Sequence, residues 1–210
     1  MILLDTYQGS AVDTYLTKFA ELVYGVTLPM NTRGIDPDKD WLAQAQQSVN
    51  QQAYEQAKAD PLTKPPKMNA IFGETPGGQY FVDTMGLLLD CERIYTSAYT
   101  PGGFLGWHTD CDEAGWYIMF SLCNEPGSEF YWVEDERIHF LVEQPGWTIK
   151  AGQASGQAPY FWHAALTTTP KWSVIMIWDD QQAWQRACDV VTTKSSLDPV
   201  PGLILYGIFE

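Results

Sequence analysis

Apolar side chains recur at two different periods along this chain, and the change between them falls near residue 70. Over residues 10–25, Val12, Tyr15, Leu16, Phe19, Leu22 and Val23 stand at helical spacing, with Ser10 and Asp13 placed to form a capping box. An amphipathic helix is predicted there. Residues 40–59 are dominated by Ala and Gln, with Trp41, Ala45, Val49 and Ala53 on one stripe and Asp40 as the cap, which predicts a second, more weakly amphipathic helix. Asp60-Pro61 and Lys64-Pro65-Pro66 then stop it, because proline removes a donor and restricts the residue before it.

From about Gly73 onward the texture changes to short β-rich runs, with turns expected at Pro76-Gly77-Gly78, Pro101-Gly102-Gly103, Glu125-Pro126-Gly127 and Pro145-Gly146. Strands are predicted near 80–89, 92–99, 116–123, 128–133, 137–143, 147–151, 160–166 and 171–178, and every element in this part reads as a strand. Strands without intervening helices argue against a parallel α/β sheet and for a mainly β fold, a jelly roll of two sheets. Trp116–Leu122 is apolar on both faces, so it is predicted to be a central strand whose outer side the two N-terminal helices cover. The architecture expected is helices on one face of one sheet, with the site between the sheets. A single domain over 1–210 is expected, with a helical support region at 1–70, a β core at 73–180 and a C-terminal extension at 181–210. The apolar run Leu203–Phe209 suits either an added strand or an oligomer contact.

Composition narrows the function classes. With 45% apolar and 18% charged residues, and nine Trp, eleven Tyr and nine Phe in 210, the chain has material for a full core and enclosed pockets. A net charge of −14 with no Lys/Arg run disfavours nucleic acid and anionic membrane as partners and eases the approach of a neutral or cationic substrate. Cys91, Cys111, Cys123 and Cys188 lack C-x-x-C spacing and are expected to be free thiols; Cys111, next to Asp110, is expected to line a site as a neutral residue. Met1–Asp5 has neither a basic n-region nor a long apolar core, so a soluble, cytoplasmic protein is expected.

The chemistry concentrates in two stretches, Gly106-Trp107-His108-Thr109-Asp110 and Phe161-Trp162-His163. In an extended chain His108 and Asp110 point to the same face, and His163 must return through the fold. Two imidazoles and one carboxylate on one side of a metal leave open positions, the arrangement of non-haem Fe(II) oxygenases. His108, Asp110 and His163 are the candidate ligands. Lys171 starts an apolar strand and needs an anion; Lys171, Ser173, Ile175 and Ile177 share one face of it. A dicarboxylate that chelates the metal with its keto acid end would offer its far carboxylate to Lys171, with Ser173 and Tyr99 as further donors. Trp107, Trp116 and Trp162 flank the triad, and core packing is the expected role of at least two of them. His139, on the more polar face of its strand with Arg137 and Glu143, is expected at the surface.

In the order Tyr99-x-Pro101-Gly102-Gly103, His108-x-Asp110, apolar strand, His163, Lys171-x-Ser173, the chain resembles the Fe(II)- and 2-oxoglutarate-dependent oxygenases from about Tyr95 to Trp178. Within them it is most similar to the prolyl-hydroxylase-like branch and to uncharacterised phage-encoded members. The resemblance implies a double-stranded β-helix of the cupin-like kind, with His108, Asp110 and His163 as Fe(II) ligands and Lys171 as the basic residue for 2-oxoglutarate. It also implies a reaction with O2 in which 2-oxoglutarate becomes succinate and carbon dioxide while a substrate C–H bond is hydroxylated. Many members carry Arg at the basic position, and a Lys there binds as a point charge. The substrate class first in line is a prolyl or other amino-acid residue, with a small metabolite second. Two other classes remain open in the sequence: a jelly-roll binding module without activity, and a zinc hydrolase using the same two His and one Asp.

Overall fold

The computed structural model describes residues 1–4, 10–24, 41–59, 67–71 and 76–193. The Asp40 cap, the breaks at 60–66 and the 201–210 run lie outside the described residues. Among the described residues, nine strands and five α-helices run in the order β1 (Ile2–Leu4), α1 (Asp13–Tyr24), α2 (Trp41–Ser48), α3 (Gln51–Ala57), β2 (Lys67–Ile71), α4 (Pro76–Leu89), β3 (Arg93–His108), β4 (Gly115–Cys123), β5 (Ser128–Glu134), β6 (Arg137–Glu143), β7 (Gly146–Ala154), β8 (His163–Thr167), β9 (Lys171–Trp178) and α5 (Gln181–Thr192).

All strand pairings are antiparallel and follow one path, β1-β7-β4-β9-β3-β8-β5-β6, with β2 added on β3. The path folds over at β3. Residues 93–99 of β3 pair with β9, while Phe104, Leu105 and His108 pair with β8, so β3 belongs to both halves. Side chains from the two halves meet in the interior: Tyr117, Met119, Ala154 and Ile177 from the larger, Phe130 and Ala165 from the smaller. This is the jelly roll, or double-stranded β-helix, expected from the strand pattern.

The larger half carries the helices. Val12 just before α1, Leu16, Phe19 and Val23 of α1, Phe81, Met85 and Leu89 of α4, and Trp184, Ala187, Cys188 and Val191 of α5 pack on Ile118, Phe120 and Leu122 of β4 and Trp172, Val174 and Met176 of β9. Indole hydrogen bonds fix two of these contacts, from Trp184 Nε1 to the Tyr117 carbonyl (3.0 Å) and from Trp147 Nε1 to the Leu16 carbonyl (3.0 Å).

Several expectations are corrected. The second predicted helix is two, because Asn50 caps α3 by accepting from the Ala53 N–H at 2.9 Å. Nor does it cover β4: Ala45, Val49 and Tyr54 pack on Phe104, Trp107, Trp162 and Leu166, the outer face of the smaller half. The Ser10 side chain forms no capping bond; its backbone carbonyl accepts from Asp13 N–H. The predicted strand at 80–89 is part of α4, with Pro76 as its first residue instead of a turn, since proline lacks the N–H that the first helical turn leaves unused. The extension 181–210 begins with α5, capped by Asp180 accepting from Ala183 N–H at 2.8 Å. The support region 1–70 also contains β1 and most of β2. Finally, Pro101-Gly102-Gly103 is not a chain reversal. Residues 100–103 bulge out of β3 opposite Asn69 alone, with Gly102 at φ 85°, and the strand bends there and continues.

Helix α4 can be tested by its register. Met85 and Leu87 would share one face of a strand, whereas in α4 Met85 is 0% exposed and Leu87 is 82% exposed. Met85→Ala is expected to lower stability by about 2–5 kcal/mol, and Leu87→Ala by less than about 0.5 kcal/mol, measured as denaturant midpoints. Comparable losses from both would contradict the helix.

Candidate functional site

The corner in β3 aims its last residue, His108, at the first residue of β8, and the two histidines are register partners. Their rings lie 4.0 Å apart between centroids. Asp110 is not in extended chain as expected. It follows the end of β3 and precedes a single 3₁₀ turn at Cys111–Glu113, with φ −97° and ψ 45°, which brings its carboxylate back over both rings. His108 Nε2 is 3.8 Å from Asp110 Oδ1 and His163 Nε2 is 3.4 Å from Asp110 Oδ2. One ligand atom from each of the three lies within 4.8 Å of the others.

These spacings are longer than charge-assisted hydrogen bonds, which run about 2.7–2.9 Å. They approach the roughly 3–3.5 Å that separates two ligands each about 2.1 Å from one ion. The histidines are also oriented for this. His108 Nδ1 is 2.9 Å from the Gly106 carbonyl and His163 Nδ1 is 3.2 Å from the Phe161 carbonyl, so each Nδ1 faces a carbonyl acceptor and each Nε2 is the ring nitrogen turned toward Asp110. The described chain therefore offers a two-nitrogen, one-carboxylate donor set, buried at the histidines and open at Asp110.

The three tryptophans that flank the triad are packing residues, as expected of at least two of them. Trp107 and Trp162 pack outward against Tyr54, and Trp116 packs on Trp184 at 4.8 Å, so all three serve the cores. Phe161 and Phe130 stack on His163 instead, at 4.9 and 5.7 Å, and Tyr117 lies against Phe161 at 5.4 Å. Burial pushes the Tyr117 phenol far up, helped by the Asp110 charge, so it is a proton donor at every ordinary pH. Its hydroxyl is buried with no hydrogen-bond partner.

At the other end of the interior, four residues along β8 from His163 and so about 13 Å away along the strand, the lining is polar. Lys171, Ser173 and Tyr99 are brought together there as the sequence suggested, on the inward faces of β9 and β3. Tyr99 pairs with Lys171, its ring 5.8 Å from the ammonium, and burial raises its phenol to about 12. Lys171, however, already has an anion. Its Nζ is 2.7 Å from Glu143 Oε2, and Glu143 also accepts from Lys150 Nζ and Ser128 Oγ. Lys150 and Glu143 were not foreseen as site residues. Glu143 was placed with His139 on a polar, solvent-facing side of β6, but that side faces inward: Glu143 is 1% exposed while Phe140, on the opposite side, is 63% exposed. His139 accordingly is half-buried, stacked on Trp132 at 5.3 Å, two strands from His163 in the same cross-strand row. Alternation about the buried Lys150 was the sequence signal available, since an interior Lys in a predicted strand needs an acidic neighbour. The four cysteines are free, as expected, and Cys111 is half-buried in the turn after Asp110.

No protein-family model and no curated relative matches the chain. Among solved structures it is similar to an oxidoreductase of the 2OG-Fe(II) oxygenase family from Burkholderia pseudomallei, at 13% identity over 84% of this chain and 95% of that one, with a TM-score of 0.39. It is also similar to a prolyl-4-hydroxylase from Pseudomonas putida, at 14% identity over 79% and 99%, TM-score 0.33. A third is Peruvianin-I, a cysteine peptidase from Thevetia peruviana latex, at 12% identity over 74% and 85%, TM-score 0.34. Likenesses this distant leave the activity to the site itself. No helix among the described residues is long and apolar enough to cross a membrane.

The interior ion cluster has a pH signature. Burial alone would raise the Glu143 carboxyl, but Lys150 and Lys171 outweigh it and hold it well below the usual carboxylate range. For Lys150 burial wins: desolvation, reinforced by Lys171 and only partly offset by Glu143, brings its ammonium down to about 8. A lysine whose folded pKa lies below its unfolded value binds fewer protons folded than unfolded between the two, so stability rises with pH over about 8 to 10.5. The ligand-free protein is expected to gain stability across that window relative to Lys150→Met in chemical denaturation. Parallel profiles for the two proteins would contradict the placement of Lys150.

Proposed function

We propose that this chain is an Fe(II)- and 2-oxoglutarate-dependent dioxygenase that hydroxylates a C–H bond of an organic substrate, first a prolyl or other amino-acid residue. The observation that carries the reading is the convergence of His108 Nε2, His163 Nε2 and the Asp110 carboxylate at one end of the barrel. That donor set fits Fe(II), since two imidazoles and one carboxylate on one side leave positions for a chelating keto acid and O2. When bound, the iron supplies the oxidising chemistry, with 2-oxoglutarate converted to succinate and carbon dioxide.

The protein's own residues do the rest. Gly106 and Phe161 carbonyls hold the imidazoles in the ligating tautomer. Phe161, Phe130 and Tyr117 keep bulk water from the His163 side. Lys171, Ser173 and Tyr99, at the far end of the interior, are the polar groups for the second carboxylate. The phenol of Tyr99, raised to about 12, remains protonated and able to donate at neutral pH. The net charge of −14 favours a neutral or cationic substrate. The amino-acid choice rests on the resemblance around Tyr99-x-Pro101-Gly102-Gly103.

Anaerobic addition of Fe(II) and then 2-oxoglutarate to the metal-free protein is expected to give the visible charge-transfer band of a chelated keto acid. His108→Ala or His163→Ala should abolish metal binding, while Lys171→Ala should keep the metal and weaken 2-oxoglutarate. A folded protein that never shows the band, or that binds zinc in its place, would contradict the reading.

A further inference from the structure

Two ammonium groups and one carboxylate share the polar end of the barrel, all away from water. Lys150 is 0%, Lys171 2% and Glu143 1% exposed. Glu143 accepts from both lysines and from Ser128 Oγ, and Lys150 also donates to Ser121 Oγ at 2.9 Å. Among the described residues the groups around them are neutral: Ser121 and Ser173, 3.5 Å apart, the phenol of Tyr99, the ring of Phe130 under the Lys150 ammonium at 4.8 Å, and the Cys123 thiol, which burial raises. With all three charged groups ionised, the cluster holds one positive charge without a counter-ion among the described residues, inside a chain whose overall charge is −14. A buried uncompensated charge is unfavourable, and it is relieved either by loss of a proton from Lys150 or by the arrival of an anion.

We propose that this cluster is a two-lysine site for one ligand carboxylate, in which Lys150 anchors the ligand together with Lys171, and Glu143 is the resident counter-ion that limits the site to a single anion. The inference rests on the reading of the barrel as the site of a 2-oxo acid and deepens it by specifying how the second carboxylate is selected. The interior between triad and cluster is apolar, with Met119, Phe130 and Ala165 along it. A ligand spanning it therefore needs a chelating end, a short hydrocarbon middle and one anionic end, which is the chemistry of a dicarboxylate. A monocarboxylic keto acid would leave the lysine charge unbalanced.

Charge counting gives opposite signs for two substitutions. Lys150→Met leaves Lys171 and Glu143 as a neutral pair, so the ligand-free protein should melt no lower than the parent, while affinity for the second carboxylate falls at least about thirtyfold, the loss expected when one partner of a buried ion pair is removed. Glu143→Gln leaves two positive charges, so it should lower the ligand-free melting temperature and tighten a dicarboxylate by on the order of tenfold.

Three probes make the test. Glutarate, which has both carboxylates and no keto group, is expected to raise the melting temperature of the metal-free parent and not of Lys150→Met. With Fe(II), 2-oxoglutarate should bind Lys150→Met at least about thirtyfold more weakly than the parent, whereas 2-oxobutyrate, which lacks the second carboxylate, should bind both alike. Glutarate acting equally on parent and Lys150→Met, or 2-oxobutyrate weakened as much as 2-oxoglutarate, would overturn the two-lysine site. Should Glu143→Gln fail to fold, the Lys150→Met comparison decides alone. If glutarate stabilises the parent through Lys150 but neither keto acid gives a visible band with iron, the carboxylate site stands and the oxygenase reading falls. If both keto acids give the band with equal affinity and glutarate does nothing, the reverse holds.

Discussion

Strand β3 has to serve both halves of the barrel, and the remaining geometry depends on how it turns from one to the other. Its first half is hydrogen-bonded to β9 and its second to β8, which is possible only because Thr100–Gly103 leaves the ladder opposite a single residue of β2. A glycine at φ 85° makes the bend without the clash a side chain would meet. The consequence is that His108 ends β3 directly across from His163, while Tyr99, before the bend, sits across from Lys171. One corner thus places the candidate metal ligands and the candidate anion groups at opposite ends of one interior. A second glycine guards the loop that carries Asp110. A Cβ on Gly115 would lie 2.6 Å from Ile177 Cγ2 and 2.8 Å from the Trp178 carbonyl, so β4 starts flush against β9 and the 3₁₀ turn before it has little freedom to swing away.

The interior is ordered by polarity along its length. At one end stand two imidazoles and a carboxylate, in the middle Met119, Phe130 and Ala165, and at the other end three charged groups with serines. The outer faces of the same strands are apolar, covered by α1, α4 and α5 on one half and by α2 and α3 on the other. This reverses the usual rule for a sandwich, because here part of the buried side is polar. Charges persist in such a place only when paired. Lys171 and Lys150 share one glutamate between them, which offsets one of the two ammonium charges and leaves the other without a carboxylate among the described residues.

Much of this was legible. The period of two over residues 92–178 located seven of the strands, and the face of β9 that carries Lys171 and Ser173 was assigned correctly. What failed has identifiable causes. In α4 the residues Phe81, Met85 and Leu89 stand four apart, but Leu87 and Leu88 fill the gaps and make the stretch resemble a continuous apolar strand. In α5 the spacing of Trp184, Ala187, Cys188 and Val191 was helical and went unread behind a run of strands. On β6 the assumption that a polar face meets water hid Glu143, which is 1% exposed, while His139 on the same face is half-buried with an exposed contact to the Glu134 carbonyl. A buried ion cluster contradicts hydrophobic patterning wherever it occurs, and one sequence does not announce its partners. The grouping of His108, Asp110 and His163 was legible from the context of the two stretches Gly106–Asp110 and Phe161–His163, since His-x-Asp alone is common in a chain rich in Asp.

The central claim is that His108, Asp110 and His163 together hold one metal ion. X-ray absorption at the iron K-edge of the Fe(II)-loaded protein tests it most directly. The expected spectrum shows scattering from two imidazoles, with all nearest ligands being nitrogen or oxygen at about 2.0–2.2 Å, and no bound iron remains in His163→Ala. A single imidazole in the parent, or a sulfur ligand near 2.3 Å contributed by Cys111, would contradict it.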